Sequence, residues 1–121
     1  MTRRIGLVAL LAAFLFPSAV AEADNPRLVG LVGTNDAFVI SLRDGSGNLV
    51  THLDPGTYDV AISDKSDFHN FHLSGPGVNR KTGVATRGHV TWNVTLRPGT
   101  YTYRSDKTKK LRGSFTVKLP F

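Results

Sequence analysis

Apolar and polar residues alternate over several short stretches of this chain, and no apolar period of 3.6 residues persists for a dozen residues. The clearest stretch is 90–96, where every second residue is apolar and Trp92 lies on the apolar face. Similar alternation occurs at 38–42, 58–62 and 115–119, and Gly- and Pro-containing turn sequences separate the stretches. The pattern predicts an all-β sandwich of about seven short strands, with Trp92 and its neighbours Val90, Val94 and Leu96 in the core.

One sequence frame occurs twice. Residues 53–58 and 96–101 both read Leu-x-Pro-Gly-Thr-Tyr. Proline fixes its own φ, and the following glycine tolerates a positive φ, so each copy predicts a Pro-Gly turn that starts a strand. We expect the two copies to form equivalent corners of the sandwich.

The first residues have the features of an export signal. Arg3 and Arg4 precede an apolar run at 5–16, which Pro17 ends, and small residues follow at Ala19 and Ala21. The run is shorter than the ~20 residues that cross a bilayer. We therefore expect a signal peptide at 1–21 and a secreted or periplasmic mature domain at 22–121, with no membrane span after cleavage.

Composition narrows the class of protein. A chain of 121 residues with 40% apolar and 20% charged residues fits one globular domain. There is no cysteine, so a disulfide framework is excluded and a metal site needs other ligands. Loss of Arg3 and Arg4 with the leader leaves 13 basic and 9 acidic residues, a formal charge of +4. This excess is too dispersed to indicate a nucleic-acid binder.

Two stretches carry a family resemblance. Residues 69–78 read His-Asn-Phe-His-Leu-Ser-Gly-Pro-Gly-Val, and Pro-Gly-Thr-Tyr-Thr-Tyr at 98–103 is followed by Gly-Ser-Phe-Thr-Val at 113–117. The region from about residue 33 to 119 thereby resembles the cupredoxin, or plastocyanin-like blue-copper, family. The resemblance implies a two-sheet Greek-key β-sandwich. It places the family's first histidine ligand at His69, its cysteine at Ser105, its second histidine at Thr108 and its methionine at Leu111, which implies a degenerate member.

The side chains at these positions argue against a type 1 copper ion. Such a site depends on a thiolate, and the hydroxyl of Ser105 is neutral and hard. Lys107, Lys109, Lys110 and Arg112 surround the ligand positions, and their charges oppose a bound cation. We therefore expect no cofactor.

The histidines leave two alternatives open. His69 and His72 are three residues apart, so in a strand they face opposite sides and meet at one metal only across a bulge. His69 is either a structural histidine near the end of the sandwich or a metal ligand.

An enzyme is not expected from this sequence. Ser105, His69 and Asp106 can be combined into a catalytic triad on paper, but no nucleophile-elbow glycine frame surrounds the serine.

Two functional hypotheses follow. The first is a non-redox binding or accessory module whose segment 105–112 forms a cationic loop for an anionic small molecule or envelope polymer. That loop has no aromatic side chain to stack on a base, which disfavours nucleic acid. The alternative for these cations is a solvated hairpin tip without a ligand. The second hypothesis is a copper-binding or electron-transfer protein that keeps a metal through His69.

Overall fold

The computed structural model describes residues 24–34 and 37–120, so the predicted signal peptide and its cleavage site lie outside the described residues. Within them, the chain forms strands and no helix long and apolar enough to span a bilayer. The strands are β1 (Arg27–Val32), β2 (Ile40–Asp44), β3 (His52–Leu53), β4 (Gly56–Asp64), β5 (His72–Gly75), β6 (Val78–Lys81), β7 (Gly88–Leu96), β8 (Gly99–Ser105) and β9 (Thr108–Val117).

These strands form two sheets. The four-stranded sheet has the order β2-β1-β4-β7, and the five-stranded sheet has the order β3-β9-β8-β5-β6. Strands β1 and β4 pair in parallel, as do β3 and β9, and the other neighbours are antiparallel. The all-β two-sheet sandwich expected from the sequence is therefore confirmed.

The core lies between the two sheets. In the five-stranded sheet, the ring of Tyr101 stacks on Phe115 with centroids 5.3 Å apart. Tyr103 of the same sheet stacks on Phe71 at 5.5 Å. The four-stranded sheet contributes Trp92, which is 6% exposed, so the prediction of a buried tryptophan is confirmed. The buried aliphatic side chains are Leu28, Val32, Leu42, Val50, Val60, Ile62, Leu73, Val78, Val94, Leu96, Leu111 and Val117.

Val90 differs from the prediction. It pairs with Ile62 and shares the inward face of β7 with Trp92, yet it is 38% exposed. The strand β6 ends at Lys81, and the segment that follows leaves an open cavity of about 260 Å³ that Val90 and Trp92 line. Val90 thus has the predicted facing without the predicted burial.

Two predicted strands are shifted at their ends. Phe38 lies before β2 and is 72% exposed, because the ladder between β1 and β2 ends at the pair of Val32 and Ile40. Leu119 lies beyond β9 and is 53% exposed, because β9 loses its β8 partner after Gly99. An alternating sequence continues past the last ladder hydrogen bond in both cases.

The repeated frame forms two equivalent corners, as predicted. The hydroxyl of Tyr58 donates to the carbonyl of Asp54 at 2.6 Å. The hydroxyl of Tyr101 lies 2.9 Å from the carbonyl of Arg97, four residues back in the same way. Each tyrosine therefore closes its own Pro-Gly turn, as the tyrosine corner of other sandwiches does.

Candidate functional site

His69 and Ser105 meet at one end of the sandwich. His69 lies in the segment between β4 and β5, and Ser105 is the last residue of β8. The Nδ1 atom of His69 and the Oγ atom of Ser105 are 3.0 Å apart, and the two residues are 3% and 1% exposed. The first histidine position and the cysteine position of the family are thus joined by a buried hydrogen bond.

A short turn positions His69. The hydroxyl of Ser66 accepts hydrogen bonds from the backbone N–H groups of Phe68 and His69, both at 2.9 Å. This turn packs against Gly33, which has a φ of 71°, and a Cβ atom on Gly33 would lie 2.2 Å from the Cβ of Ser66. A side chain at residue 33 would therefore displace the turn that carries His69.

A buried carboxylate anchors the same turn. The Oδ1 atom of Asp64 accepts from the backbone N–H of Ser66 at 3.1 Å, and its Oδ2 atom accepts from the hydroxyl of Thr82 at 2.8 Å. Burial raises the pKa of the Asp64 carboxyl above its ordinary value, although these two hydrogen bonds oppose the shift. Asp64 thus links the His69 turn to the segment that follows β6.

The second nitrogen of His69 has no partner in the described part of the chain. Its Nε2 atom is buried without a hydrogen bond. The ring of Phe38 packs edge-on against the imidazole, with centroids 4.7 Å apart and the planes at 80°. The imidazole therefore lies between the Ser105 hydroxyl and an exposed aromatic ring.

Asn70 fixes the connection between β8 and β9. Its Oδ1 atom accepts from the backbone N–H of Asp106 at 2.7 Å, and its Nδ2 atom donates to the Asp106 carboxylate at 2.9 Å. The same Nδ2 group donates to the carbonyl of Thr82 at 3.0 Å. Asn70 itself is buried and its three hydrogen bonds are part-buried, so Asn70 ties the turn to the end of the sandwich.

The connection between β8 and β9 is shorter than the loop predicted from the sequence. Only Asp106 and Lys107 separate the paired residues Ser105 and Thr108, and the rest of the expected loop belongs to β9. The register shifts between Thr108 and Arg112, so this part of β9 is irregular. The cationic loop at 105–112 is therefore a hairpin whose second strand carries most of the basic residues.

The predicted ligand positions do not fit a type 1 copper ion. Thr108 pairs with Ser105 in the ladder, and Leu111 is 7% exposed and packs in the core. Together with His69, these side chains offer one imidazole, two hydroxyls and one hydrocarbon, and none of them is the thiolate that such a site requires. Among residues 24–34 and 37–120, no group of three or more histidine, cysteine or acidic residues is placed to hold a metal ion.

His72 does not join His69. Its Nδ1 atom lies 2.8 Å from the Oδ1 atom of Asp106, and its Nε2 atom lies 2.6 Å from the side-chain oxygen of Asn79. Both ring nitrogens of His72 are thus hydrogen-bonded, on the face of β5 opposite to the core. Asp106 contacts His72, Asn70 and Arg104 and does not contact His69. The three residues of the hypothetical catalytic triad therefore do not form one hydrogen-bonded chain.

Asp106 is held as a carboxylate. Partial burial alone would raise its pKa, but the hydrogen bonds from His72 and Asn70 lower it, and Arg104, whose Nε lies 3.4 Å from Oδ1, acts in the same direction. The net pKa of Asp106 lies below its ordinary value.

The four cations named in the sequence analysis all lie on the surface of this hairpin. Lys107 occupies the turn, and Lys109, Lys110 and Arg112 belong to β9. All four are exposed, and within the described ranges none of them has a carboxylate within 4 Å.

Asp64, Ser66 and Asn70 support this end and Arg104 adds to its charge, and none of these four roles is predicted above from the sequence. The Asp-x-Ser spacing at 64–66 is a signal for a side-chain-capped turn and was available in the sequence. The partners of Asn70 lie 12 and 36 residues away, and strand register sets the neighbours of Arg104 across the sheet, so no local pattern predicts either.

By sequence, the chain matches no protein-family profile and no curated protein. Its fold does match solved structures of rusticyanin, which is described as a copper protein. A rusticyanin variant superposes with a TM-score of 0.55 and 18% identity over 76% of each chain. Rusticyanin from Thiobacillus ferrooxidans gives a TM-score of 0.52 and 19% identity, again over 76% of each chain. At such identities the likeness concerns the fold, and it shows that this chain has the cupredoxin-like fold that its sequence resembles.

Proposed function

We propose that this protein is an extracytoplasmic, non-redox binding module that takes anionic partners at the β8–β9 hairpin. The main support for this proposal is that four basic residues of the hairpin are exposed and have no carboxylate within 4 Å in the described chain: Lys107, Lys109, Lys110 and Arg112. Uncompensated cations on one hairpin attract carboxylate or phosphate groups, which form charge-assisted hydrogen bonds with them.

The packing at the end of the sandwich supports a non-redox role. The bond between His69 and Ser105 occupies two of the positions where the family resemblance implies copper ligands. The clamp between Asn70 and Asp106 holds the hairpin in place, so its cations are presented on a fixed backbone. A fixed presentation lowers the conformational entropy lost on binding.

Retention on a sulfonate matrix tests the proposal. The parent protein is compared with a variant carrying glutamine at residues 107, 109, 110 and 112. The control carries glutamine at four other exposed cations, Arg27, Arg43, Lys65 and Arg80. We expect the hairpin variant to elute at clearly lower salt than the control, because four cations on one hairpin act together on the matrix, whereas dispersed charges more than about 8 Å apart are screened from one another. Equal shifts in both variants would mean that net charge alone governs retention and would refute the proposal.

Copper binding through His69 is the second candidate function. The observation that favours it is the buried Nε2 atom of His69, which has no partner in residues 24–34 and 37–120. Titration with Cu(II), following visible absorption and metal stoichiometry, separates the two functions. We expect no intense blue band, because no thiolate is present, and we expect Ser105→Cys alone to restore little while Thr108 and Leu111 remain. Stoichiometric binding that His69→Gln abolishes would establish the second function instead.

Export is part of the proposal and is tested separately. The arginines, apolar run and small residues of 1–21 support a cleaved leader. Mass spectrometry of culture supernatant and envelope fractions should find a mature N-terminus near Glu22 or Asp24. Recovery of the intact chain from the cytoplasm would contradict it.

A further inference from the structure

A row of basic residues crosses the five-stranded sheet. The ladder places Lys81 of β6 opposite His72 of β5, His72 opposite Arg104 of β8, and Arg104 opposite Arg112 of β9. Residues that are directly opposite in a ladder share a face. The neighbour of Arg104 in sequence, Tyr103, is buried, so the row lies on the outer face. With strands about 4.8 Å apart, the row spans roughly 14 Å.

The arrangement within the row is unfavourable for the protein alone. Arg104 and Arg112 carry like charges on directly opposite positions, which destabilises a sheet. One carboxylate, Asp106, lies between His72 and Arg104, at 2.8 Å and 3.4 Å respectively. Arg112 and Lys81 have no carboxylate within 4 Å in the described chain. An anion lying along the row would relieve this repulsion.

The remainder of the outer face is polar. The next register row is made of Asn79, Ser74, Thr102 and Ser114, and Thr100, Thr116 and His52 form the row after it. These rows contain hydroxyl groups, one amide and the imidazole of His52, and no phenylalanine, tyrosine, tryptophan or aliphatic residue. Hydroxyl and amide groups on an outer sheet face suit the hydroxyl groups of an extended sugar chain, and these rows offer no phenylalanine, tyrosine or tryptophan ring on which bases stack.

We propose that this outer face binds an extended acidic polysaccharide of uronic-acid type. The row of Lys81, Arg104 and Arg112 takes the sugar carboxylates, and the hydroxyls of Ser74 and Thr102 take hydrogen bonds from the sugar ring. The choice of carboxylate follows from Asp106, because the row already holds one between His72 and Arg104. This inference rests on the proposed function and narrows it to one partner class and to the sheet face beside the hairpin tip.

Binding of polygalacturonate tests the inference, with the protein purified after expression of the full chain. The face variant is Lys81→Gln with Arg104→Gln, and the tip variant is Lys107→Gln with Lys109→Gln. The charge-matched control is Arg27→Gln with Arg43→Gln, on the outer face of the other sheet. We expect the face variant to bind about tenfold more weakly and the control to change by less than about threefold, since each charge-assisted bond contributes more than general attraction.

A second pair of variants tests the hydroxyl rows without changing charge. Ser74→Ala with Thr102→Val should weaken binding of polygalacturonate but leave binding of polyglutamate unchanged, because polyglutamate has carboxylates and no sugar hydroxyls. Circular dichroism of every variant confirms that it is folded, and Lys81→Gln alone serves if the double variant is not.

The outcomes separate this inference from the proposed function. If only the tip variant loses binding, the hairpin site stands and the sheet-face site is wrong. If the parent is retained on the sulfonate matrix but does not bind polygalacturonate, the polysaccharide is wrong and the anion site survives. Equal losses in the face, tip and control variants would overturn both.

Discussion

The outer faces of the two sheets differ in charge although both cover the same core. The face of the five-stranded sheet carries Lys81, Arg104 and Arg112 in one row, followed by rows of hydroxyl and amide side chains. The face of the four-stranded sheet has half-buried apolar residues at its centre, with Val29 paired to Ala61. At the start of its central strand β1, Arg27 lies opposite Asp59 of β4, so residues of opposite charge are neighbours there.

The difference indicates which face the fold leaves available for function. Each sheet packs against the core through its inner face. Substitutions of exposed residues on the outer face usually change the free energy of unfolding by less than about 0.5 kcal/mol. Opposite charges on the four-stranded face agree with stability. Like charges at Arg104 and Arg112 oppose stability, and Asp106 offsets the charge of Arg104 alone, which agrees with the proposed binding of an anion on the five-stranded face.

The facing of the strands is the basis of this comparison, and Trp92→Ala tests it with the largest effect. Loss of a buried tryptophan should destabilise the protein by about 3–5 kcal/mol, because it leaves a cavity in the core. Thr91→Ala, on the exposed face of the same strand, should cost less than about 0.5 kcal/mol. Urea denaturation measures both. Similar midpoints for the two variants would contradict the assignment of inner and outer faces.

The next effect concerns two asparagines, one buried and one on the four-stranded face. Asn70→Ala should cost about 1–3 kcal/mol, because it leaves the N–H of Asp106 and the carbonyl of Thr82 without partners. The matched control is Asn93→Ala, whose exposed amide donates to Asp59 at 2.9 Å. We expect that control to lose less than about 0.5 kcal/mol. If chemical denaturation gives the same loss of unfolding free energy for both variants, the hydrogen bonds of Asn70 to the hairpin do not stabilise the protein more than an exposed hydrogen bond does.

Asp106 gives the cationic face its pH dependence. Its folded-state pKa is lowered, so its stabilising contribution is present above the unfolded value of about 3.9 and is lost as the pH falls through the folded value. Asp106→Asn should therefore be less stable than the parent at pH 7, by at most about 1 kcal/mol for so exposed a pair. The gap should close as the pH falls below about 4. A gap that stays constant as the pH is lowered from 7 to below 4 in urea unfolding would contradict the assignment.

The smallest effect bears most directly on the two faces. Arg112→Gln removes a like-charge neighbour of Arg104 and should stabilise the protein by about 0.2–1 kcal/mol at low salt. Arg27→Gln removes the neighbour of Asp59 and should destabilise it by a similar amount. Both shifts should shrink in 1 M salt, where the screening length is about 3 Å. Thermal unfolding at two salt concentrations measures them, and shifts of the same sign would remove the contrast.

Local sequence determined much of this protein. Alternation along 90–96 gave the facing of Trp92, because side chains on a strand alternate whatever their neighbours are. The frame ending in Tyr58 and Tyr101 determined both corners, since a proline, a glycine and a tyrosine four residues after the acceptor carbonyl act within one turn. The mismatch to type 1 copper also followed from residue types alone, because Ser105 supplies no thiolate and Leu111 supplies no thioether.

Tertiary structure decided the rest. Strand register placed Arg104 between His72 and Arg112, and a shift of one residue would have turned Arg104 toward the core. Pairing of β8 with β9 also made a tight hairpin of the segment that the sequence predicts as a longer loop. Asp106 in that hairpin contacts His72 and Asn70 instead of His69. These contacts join segments that are about 34–36 residues apart. Local periodicity gives the face of each residue, but only the assembled hydrogen-bond ladder gives its neighbours across the sheet.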